Sequence, residues 1–255
     1  MTLQAETKIN KLLQSWPNGT VALNEWLEAN GVSRGVRQDY ERTKWIESID
    51  RGAFKRGGDD IDWYGGLYAL QQQAGSKIHV GARTALGLLG RAHYLELNQQ
   101  VAHLFAPNKT TLPAWFKNYN WSVTPELHNT DFLPPDIGLT TVNHKLFEVK
   151  ISGQARAIME CLYLAPKHLE LVEAYQLMEG LDSLRPVTAQ ALLSACRSIK
   201  VTRLFLYMAE KAGNVWFKHL DIKNIDQGSG ARAIVKDGVY IDKYKITVPR
   251  ELAEI

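Results

Sequence analysis

Side chains that could read nucleic acid are concentrated in the first quarter of this chain. On a helical wheel, Arg34, Arg37 and Gln38 lie opposite the apolar Val36 and Tyr40. Arginine and glutamine offer paired hydrogen-bonding groups that match base edges, and the guanidinium group also binds phosphates. The residues that we predict to contact DNA are Ser33, Arg34, Arg37, Gln38, Arg42, Lys44, Arg51, Lys55 and Arg56.

The elements that would position these side chains follow the pattern of a winged helix-turn-helix. Gly31 can end a second helix, and Ser33 is a good N-cap for the third, recognition helix. After that helix, a turn at Asp50-Arg-Gly52 separates two short strands and places Arg51 on a wing. We predict helices over 5–15 and 23–30, a third helix after Ser33, and strands at 20–21, 45–49 and 53–56.

The charge of this region favours the same interpretation. From Gly31 to Gly58 there are seven Lys or Arg against four Asp or Glu. A charge excess alone is typical of a solvated helix in a small helical domain, which is the structural alternative. The basic hairpin and the apolar side of the helix favour DNA binding instead.

Two other groups of residues could carry chemistry further along the chain. Asp136, Glu148 and Lys150 have the residue order of a restriction-type nuclease, in which two carboxylates hold Mg²⁺ and a lysine supports the attacking water. Glycines and a guanidinium in Gly228-Ser-Gly-Ala-Arg232 could bind a phosphate. The structural alternatives are ordinary surface residues at a strand end and a glycine turn before a hairpin.

A basic helix edge is a third candidate. Arg197, Lys200 and Arg203 are spaced three residues apart in an otherwise apolar helical region, and Arg232 could join them. Together they predict a second surface for an anionic ligand, with a solvated helix edge as the alternative.

The sequence predicts no metal site and no cofactor. The seven histidines, at positions 79, 93, 103, 128, 144, 168 and 219, form no His-x-His or His-Glu-x-x-His pattern. Cys161 and Cys196 form no Cys-x-x-Cys pair and lie in apolar helical contexts. Buried thiols in a reducing cytoplasm are the expected state.

Length and composition bound the fold. At 255 residues with 45% hydrophobic content, net charge +3 and pI near 8.7, the chain is expected to be a soluble, cytoplasmic protein of two domains. We place a winged helix-turn-helix with a helical extension at 1–95 and a mixed α/β domain at 96–255, so the fold class is α+β. A helix with carboxylate N-caps would run from residue 62 to 73, and a hairpin of residues 232–235 and 240–248 would close the chain.

Short motifs in collinear order through nearly the whole chain resemble the AbiEi family of type IV antitoxins. The matching stretches are Asp62-Trp-Tyr-Gly-Gly-Leu-Tyr-Ala-Leu-Gln71, Ile78-His-Val-Gly81, Thr84-Ala-Leu86, Gly90-Arg-Ala-His-Tyr94, Leu112-Pro-Ala-Trp-Phe116, 152–160, Leu184-Arg-Pro186, Arg203-Leu-Phe-Leu206 and Gly228-Ser-Gly230.

The resemblance implies an N-terminal domain that represses its own operon by binding operator DNA. It also implies a C-terminal domain that neutralises an AbiEii-type nucleotidyltransferase toxin without a stable toxin–antitoxin complex. The basic helix edge with Arg232 is our prediction for the antitoxin surface. Two alternatives stay open: a Mg²⁺-dependent nuclease guided by a winged helix, and a transcription factor whose C-terminal domain senses a small ligand.

Overall fold

The structure, a computed structural model, describes residues 8–91 and 100–255. The N-terminal elements are α1 (Lys8–Ser15), β1 (Ala22–Leu23), α2 (Asn24–Ala29), α3 (Arg34–Arg42), β2 (Ile46–Asp50) and β3 (Ala53–Arg56). The strands form an antiparallel sheet in the order β1-β3-β2. This element order is that of a winged helix-turn-helix, with α3 as the recognition helix and β2–β3 as the wing, and the prediction is confirmed.

Two details of this region differ from the prediction. The first strand begins at Ala22 because Thr20 is used in the preceding turn, where its amide and hydroxyl both donate to the Pro17 carbonyl. Ser33 does occupy the N-cap position of α3, but its hydroxyl makes no capping hydrogen bond.

A small core of its own holds the winged helix together. It consists of Leu12, Trp16, Ala22, Leu27, Val32, Ile46 and Phe54, all buried. Val36 and Tyr40 of α3 pack against it, which fixes the side that α3 turns inward.

The next element, α4 (Trp63–Tyr68), joins the winged helix to the rest of the chain. Asp62 is its N-cap and accepts from the Gly65 amide at 3.1 Å, as the sequence predicted. The helix continues as a π-helical segment, Ala69–Gln73. The Gln73 amide group then pairs with the edge of β1, accepting from Leu23 N and donating to Val21 O, both at 2.8 Å.

A five-stranded mixed sheet forms the centre of the second part. Its strands are β4 (His79–Val80), β5 (Val101–Ala106), β6 (Thr124–Asn129), β7 (Leu139–His144) and β8 (Phe147–Ser152), in the order β6-β5-β4-β8-β7. The β5–β6 and β4–β8 pairs are parallel, whereas β4–β5 and β7–β8 are antiparallel. The strand predicted at 94–97 lies outside the described residues.

Helices pack around this sheet and form the largest core. They are α5 (Ala82–Leu88), α6 (Ala114–Asn118), α7 (Gln154–Leu164), α8 (Leu171–Glu179), α9 (Pro186–Ser194), α10 (Ile199–Lys211) and α11 (Arg250–Glu254). Short 3₁₀ turns follow α10 and precede the last strand, at Val215–His219, Ile222–Asn224 and Asp242–Tyr244. Every residue of α10 from Val201 to Ala209 is buried, so this helix lies inside the domain.

The predicted C-terminal hairpin is wrong in its pairing. The strands here are β9 (Arg232–Ala233), β10 (Val239–Ile241) and β11 (Ile246–Val248). β11 pairs antiparallel with β10 and parallel with β9, so the hairpin is formed by β10 and β11. The Asp242–Tyr244 turn splits the long strand predicted over 240–248 and makes this arrangement possible.

The domain boundary near residue 95 stays a prediction. β4 and α5 precede that boundary in the chain, yet β4 lies between β5 and β8 in the five-stranded sheet, and Ala85 and Leu86 of α5 belong to the large core. Within the described residues, no helix is long and apolar enough to cross a membrane.

Candidate nucleic-acid interface

One side of α3 is open to solvent and carries predicted base-reading groups. Arg34, Gln38 and Arg42 are four residues apart, so their side chains follow one line along the helix, and all three are exposed. Arg42 donates to Asp39 Oδ1 at 2.9 Å, in a surface pair that contributes little to stability. Its guanidinium group is therefore accessible to a ligand.

Ser33, Lys44 and Arg51 are also exposed. Lys44 follows α3 with a positive φ of 59°, and Arg51 lies in the turn between β2 and β3. We call Arg34, Gln38, Arg42, Lys44 and Arg51 the exposed cationic surface; four of its five members are positively charged.

Arg37 does not lie on that surface, contrary to its predicted position. Its side chain is only 13% exposed, its guanidinium carbon lies 5.2 Å from the centre of the Phe54 ring, and Nη1 is 4.0 Å from Glu28 Oε1. α3 is oriented so that Val36, Arg37 and Tyr40 face the rest of the winged helix. Arg37 thus packs α3 against the wing.

The two basic residues at the end of the wing are also engaged within the protein. Arg56 donates to the carbonyls of Leu13 and Trp16 and to Asn18 Oδ1, so it ties β3 to the end of α1. Lys55 pairs with Glu47 Oε2 at 3.2 Å and donates to the Asp59 carbonyl at 2.9 Å. Residues 46 and 56 oppose each other in the sheet on its core side, which explains why Arg56 turns inward.

The predicted basic helix edge of Arg197, Lys200 and Arg203 does not form one exposed surface. Arg203 is 2% exposed and donates to three carbonyls. Its Nε donates to the Gln227 carbonyl at 2.5 Å, and its Nη1 donates to the Gly230 carbonyl at 2.6 Å and the Lys245 carbonyl at 3.0 Å. The residue lies on α10, which is enclosed on all sides, so its charge must be satisfied by protein groups.

The other members of that edge are divided between interior and surface. Lys200 is half-buried and donates to the Tyr163 and Ala165 carbonyls at 2.7 and 2.6 Å. Burial, together with the nearby charge of Arg232, lowers the pKa of its ammonium group. Arg197 precedes the N-cap Ser198 of α10, and it and Arg232 are exposed.

The two alternative sites have ordinary structural environments. Glu148 and Lys150 are exposed on the same side of β8, while Asp136 lies 3.4 Å from Lys77 Nζ in a surface ion pair. At the glycine turn, the Gly228 amide donates to Asp226 Oδ1 and the Gly230 carbonyl accepts from Arg203. That turn therefore serves as an anchor for Arg203.

No sequence motif marks the most buried charged group among the described residues, Glu160 of α7. Oε1 accepts from His79 Nε2 at 3.0 Å and Arg156 Nε at 2.9 Å, and Oε2 accepts from Ala82 N at 3.0 Å and Ser152 Oγ at 2.8 Å. Burial would raise the pKa of this carboxyl group, but the His79 hydrogen bond and the Arg156 charge outweigh it, and the pKa is lowered. The network links β4, β8 and α7.

A histidine cluster was missed as well. His103, Glu126 and His128 meet on one face of the β5–β6 pair. Burial, with a smaller contribution from the charge of His128, lowers the pKa of His103 to about 4, so its imidazole is neutral at pH 7. The available signal was Glu126-x-His128 on a strand, where alternate residues share a face.

The fold and the exposed cationic surface define a winged helix-turn-helix protein with a mixed α/β domain after it. Residues 5–97 match the family model described as the N-terminal domain of an AbiEi antitoxin transcriptional regulator. Residues 99–249 match the model described as a transcriptional regulator, AbiEi antitoxin, type IV TA (toxin–antitoxin) system. The chain belongs to the AbiEi family and is a type IV antitoxin transcriptional regulator.

A solved structure shares the whole fold. The RV2827C protein from Mycobacterium tuberculosis aligns over 94% of this chain and 89% of its own, with a TM-score of 0.59 and 13% sequence identity. At that identity the likeness shows the fold alone. No curated protein matches the chain.

Proposed function

We propose that the winged helix binds double-stranded operator DNA and represses the operon that encodes this chain. The observation that carries the proposal is the line of Arg34, Gln38 and Arg42 on the open side of α3, the helix that enters the major groove in winged helix proteins. Binding DNA would place the protein in the cytoplasm.

The exposed cationic surface supports a division of labour. Arg34 and Gln38, near the start of α3, have side chains suited to base edges, while Lys44 and Arg51 flank the helix and suit phosphates. If the three cations other than Arg34 each neutralise one phosphate, log K should fall with log salt at a slope of about −3.

The test is fluorescence anisotropy with a labelled duplex from the region upstream of the chain's own gene. Arg34→Ala should weaken binding by about 1–3 kcal/mol, roughly five- to 150-fold in Kd, and more for the specific duplex than for a random one. Arg51→Ala should weaken both duplexes alike. Arg232→Ala, an exposed arginine of the C-terminal part, is the matched control.

Equal binding of specific and random duplexes by the wild type, or normal binding by Arg34→Ala with Arg42→Ala, would overturn the proposal. Circular dichroism of each variant separates lost contacts from lost structure.

We also propose that the C-terminal part counteracts a nucleotidyltransferase toxin without forming a stable complex with it. Family membership supports this role, which is regulatory and not enzymatic. Because Lys200 and Arg203 are engaged within the protein, the predicted antitoxin surface is reduced to Arg197 and Arg232.

Growth rescue from a co-expressed toxin, with the antitoxin supplied from a foreign promoter, tests that role. Charge reversal of Arg197 and Arg232 together should reduce rescue and leave operator binding within a few-fold. Arg34→Ala with Arg42→Ala should abolish repression and preserve rescue. Loss of rescue in this second pair, with normal expression, would mean that antitoxicity depends on DNA binding.

A further inference from the structure

Two parallel strands place three metal-binding residue types side by side. His103 of β5 lies directly opposite Glu126 of β6, and His128 follows two residues later on the same face. His103 Nδ1 and His128 Nε2 are 3.0 Å apart, and Glu126 Oε2 lies 3.8 Å from the first and 3.9 Å from the second. Three donor atoms from different residues therefore converge within one small volume.

A further imidazole lies beside these three groups, on another element. His168 lies in the segment between α7 and α8, and its Nδ1 is 4.0 Å from Glu126 Oε2. Its ring meets that of His128 edge to face, with centres 5.5 Å apart. The cluster thus joins the β5–β6 pair to a loop that is remote in sequence.

We propose that His103, Glu126 and His128, with His168 as fourth ligand, bind a Zn²⁺ ion that fastens the α7–α8 segment to the sheet. Zinc–nitrogen and zinc–oxygen bonds of about 2.0–2.2 Å at tetrahedral angles put ligand atoms roughly 3.3–3.5 Å apart. Four of the pair separations, at 3.0–4.0 Å, bracket that range, and side-chain rotation, of His168 most of all, would complete the site.

His103 Nδ1 and His128 Nε2 lie at hydrogen-bond distance, and a bound ion would replace that contact, whereas the Glu126 carboxylate has no hydrogen bond to any of the three histidines. Glu126 Oε2 faces three imidazole nitrogens, and all three separations are too long for hydrogen bonds. Imidazoles with one carboxylate are a donor set that zinc accepts. His128 and His168 also line a cleft of about 610 Å³, which gives an ion access from solvent.

The experiment uses the full chain, stripped of metal with a chelator and desalted. Zn²⁺ is titrated in competition with a chromophoric chelator, and we expect about one ion bound per chain. Bound Zn²⁺ should raise Tm by roughly 5 °C or more at saturating concentration. Co²⁺ in its place should give the visible absorption of tetrahedral coordination.

Variants assign the ligands. Glu126→Gln and His128→Ala should each weaken Zn²⁺ binding roughly tenfold or more, because each removes a direct bond. His219→Ala, an exposed histidine elsewhere, is the matched control and should bind as the wild type does. Glu126→Gln preserves the size of the side chain, so it stays informative if His128→Ala fails to fold.

Failure of the folded wild type to bind Zn²⁺ with submicromolar affinity would overturn the proposal. So would unchanged affinity in Glu126→Gln and His128→Ala. Unchanged affinity and Co²⁺ spectrum in His168→Ala would overturn the fourth ligand, and with it the fastening of the α7–α8 segment.

Discussion

Helices α3 and α10 both carry several cationic side chains, but Arg34 and Arg42 of α3 are exposed, whereas Lys200 and Arg203 of α10 are engaged within the protein. α3 packs one side against a small core, so Arg34 and Arg42 extend into solvent. α10 is enclosed from Val201 to Ala209, so Arg203 is buried and donates to three carbonyls.

The difference teaches that spacing alone does not decide whether a cation is a binding group. The apolar residues around it decide, because they fix how many sides of the helix are buried. Residues 201–209 (Val-Thr-Arg-Leu-Phe-Leu-Tyr-Met-Ala) leave no polar side, and such a helix must be interior. Residues 34–42 contain only Val36 and Tyr40 as large apolar groups, and such a helix stays on the surface.

The N-terminal part and the rest of the chain should also differ in their ability to fold alone, and truncation gives the largest expected effect. A fragment of residues 1–95 would contain β4 and α5 without the strands and helices that cover them. We therefore expect it to aggregate, whereas a fragment of residues 1–58 keeps the small core intact. Urea unfolding followed by tryptophan fluorescence tests both; cooperative unfolding of 1–95 would support the boundary near residue 95.

Removing the buried carboxylate should give the largest effect of a single substitution. Glu160→Gln leaves His79 and Arg156 without their charged partner, and we expect a loss of about 3–5 kcal/mol in the free energy of unfolding at pH 7. The matched control is Glu148→Gln, at an exposed position of β8.

The pH dependence of that loss is fixed by the lowered pKa of Glu160. Its contribution is complete above 4.5, the ordinary pKa of a glutamate in the unfolded chain, and disappears as the pH falls through the lower pKa of the folded state. The difference between wild type and Glu160→Gln should therefore shrink below pH 4.5. An equal difference at pH 7 and pH 3 would show that the carboxylate charge contributes nothing.

Arg203→Ala should rank next, with a loss of about 3 kcal/mol, because three carbonyls lose a charged donor. Arg232→Ala, at the exposed end of the same predicted basic set, should change stability by about 0.5 kcal/mol or less. Chemical denaturation of both variants measures the contrast. Similar values would mean that the α10 arginine is not an anchor.

Local patterns predicted most elements, and pairing between distant segments was the part they could not supply. Residues 53–56 form β3 with the predicted bounds, since the turn at residues 50–52 before them is a local signal. The parallel pairing of β9 with β11 and the meeting of His168 with Glu126 depend on the path of the chain between them. The inward position of Arg37 was missed for a related reason. It depends on a contact with Phe54 of β3, and the sequence of α3 alone does not reveal that contact.

Apart from the control substitutions, Arg37→Ala has the smallest expected effect, and it is the sharpest test within α3 itself. Arg37 packs on the Phe54 ring, a contact of about 0.5–2 kcal/mol, and its Nη1 makes no hydrogen bond with any described residue. We expect Arg37→Ala to lower stability by about 1 kcal/mol and to weaken operator binding far less than Arg34→Ala. Arg37→Met retains the aliphatic part of the side chain and should recover stability without restoring the charge.

Anisotropy and urea unfolding on the same samples separate the two roles of Arg37, packing and DNA binding. A loss of specific DNA affinity in Arg37→Met that equals the loss in Arg34→Ala would show that Arg37 leaves the Phe54 ring to read a base. The exposed cationic surface would then include a residue that this conformation places inside the domain.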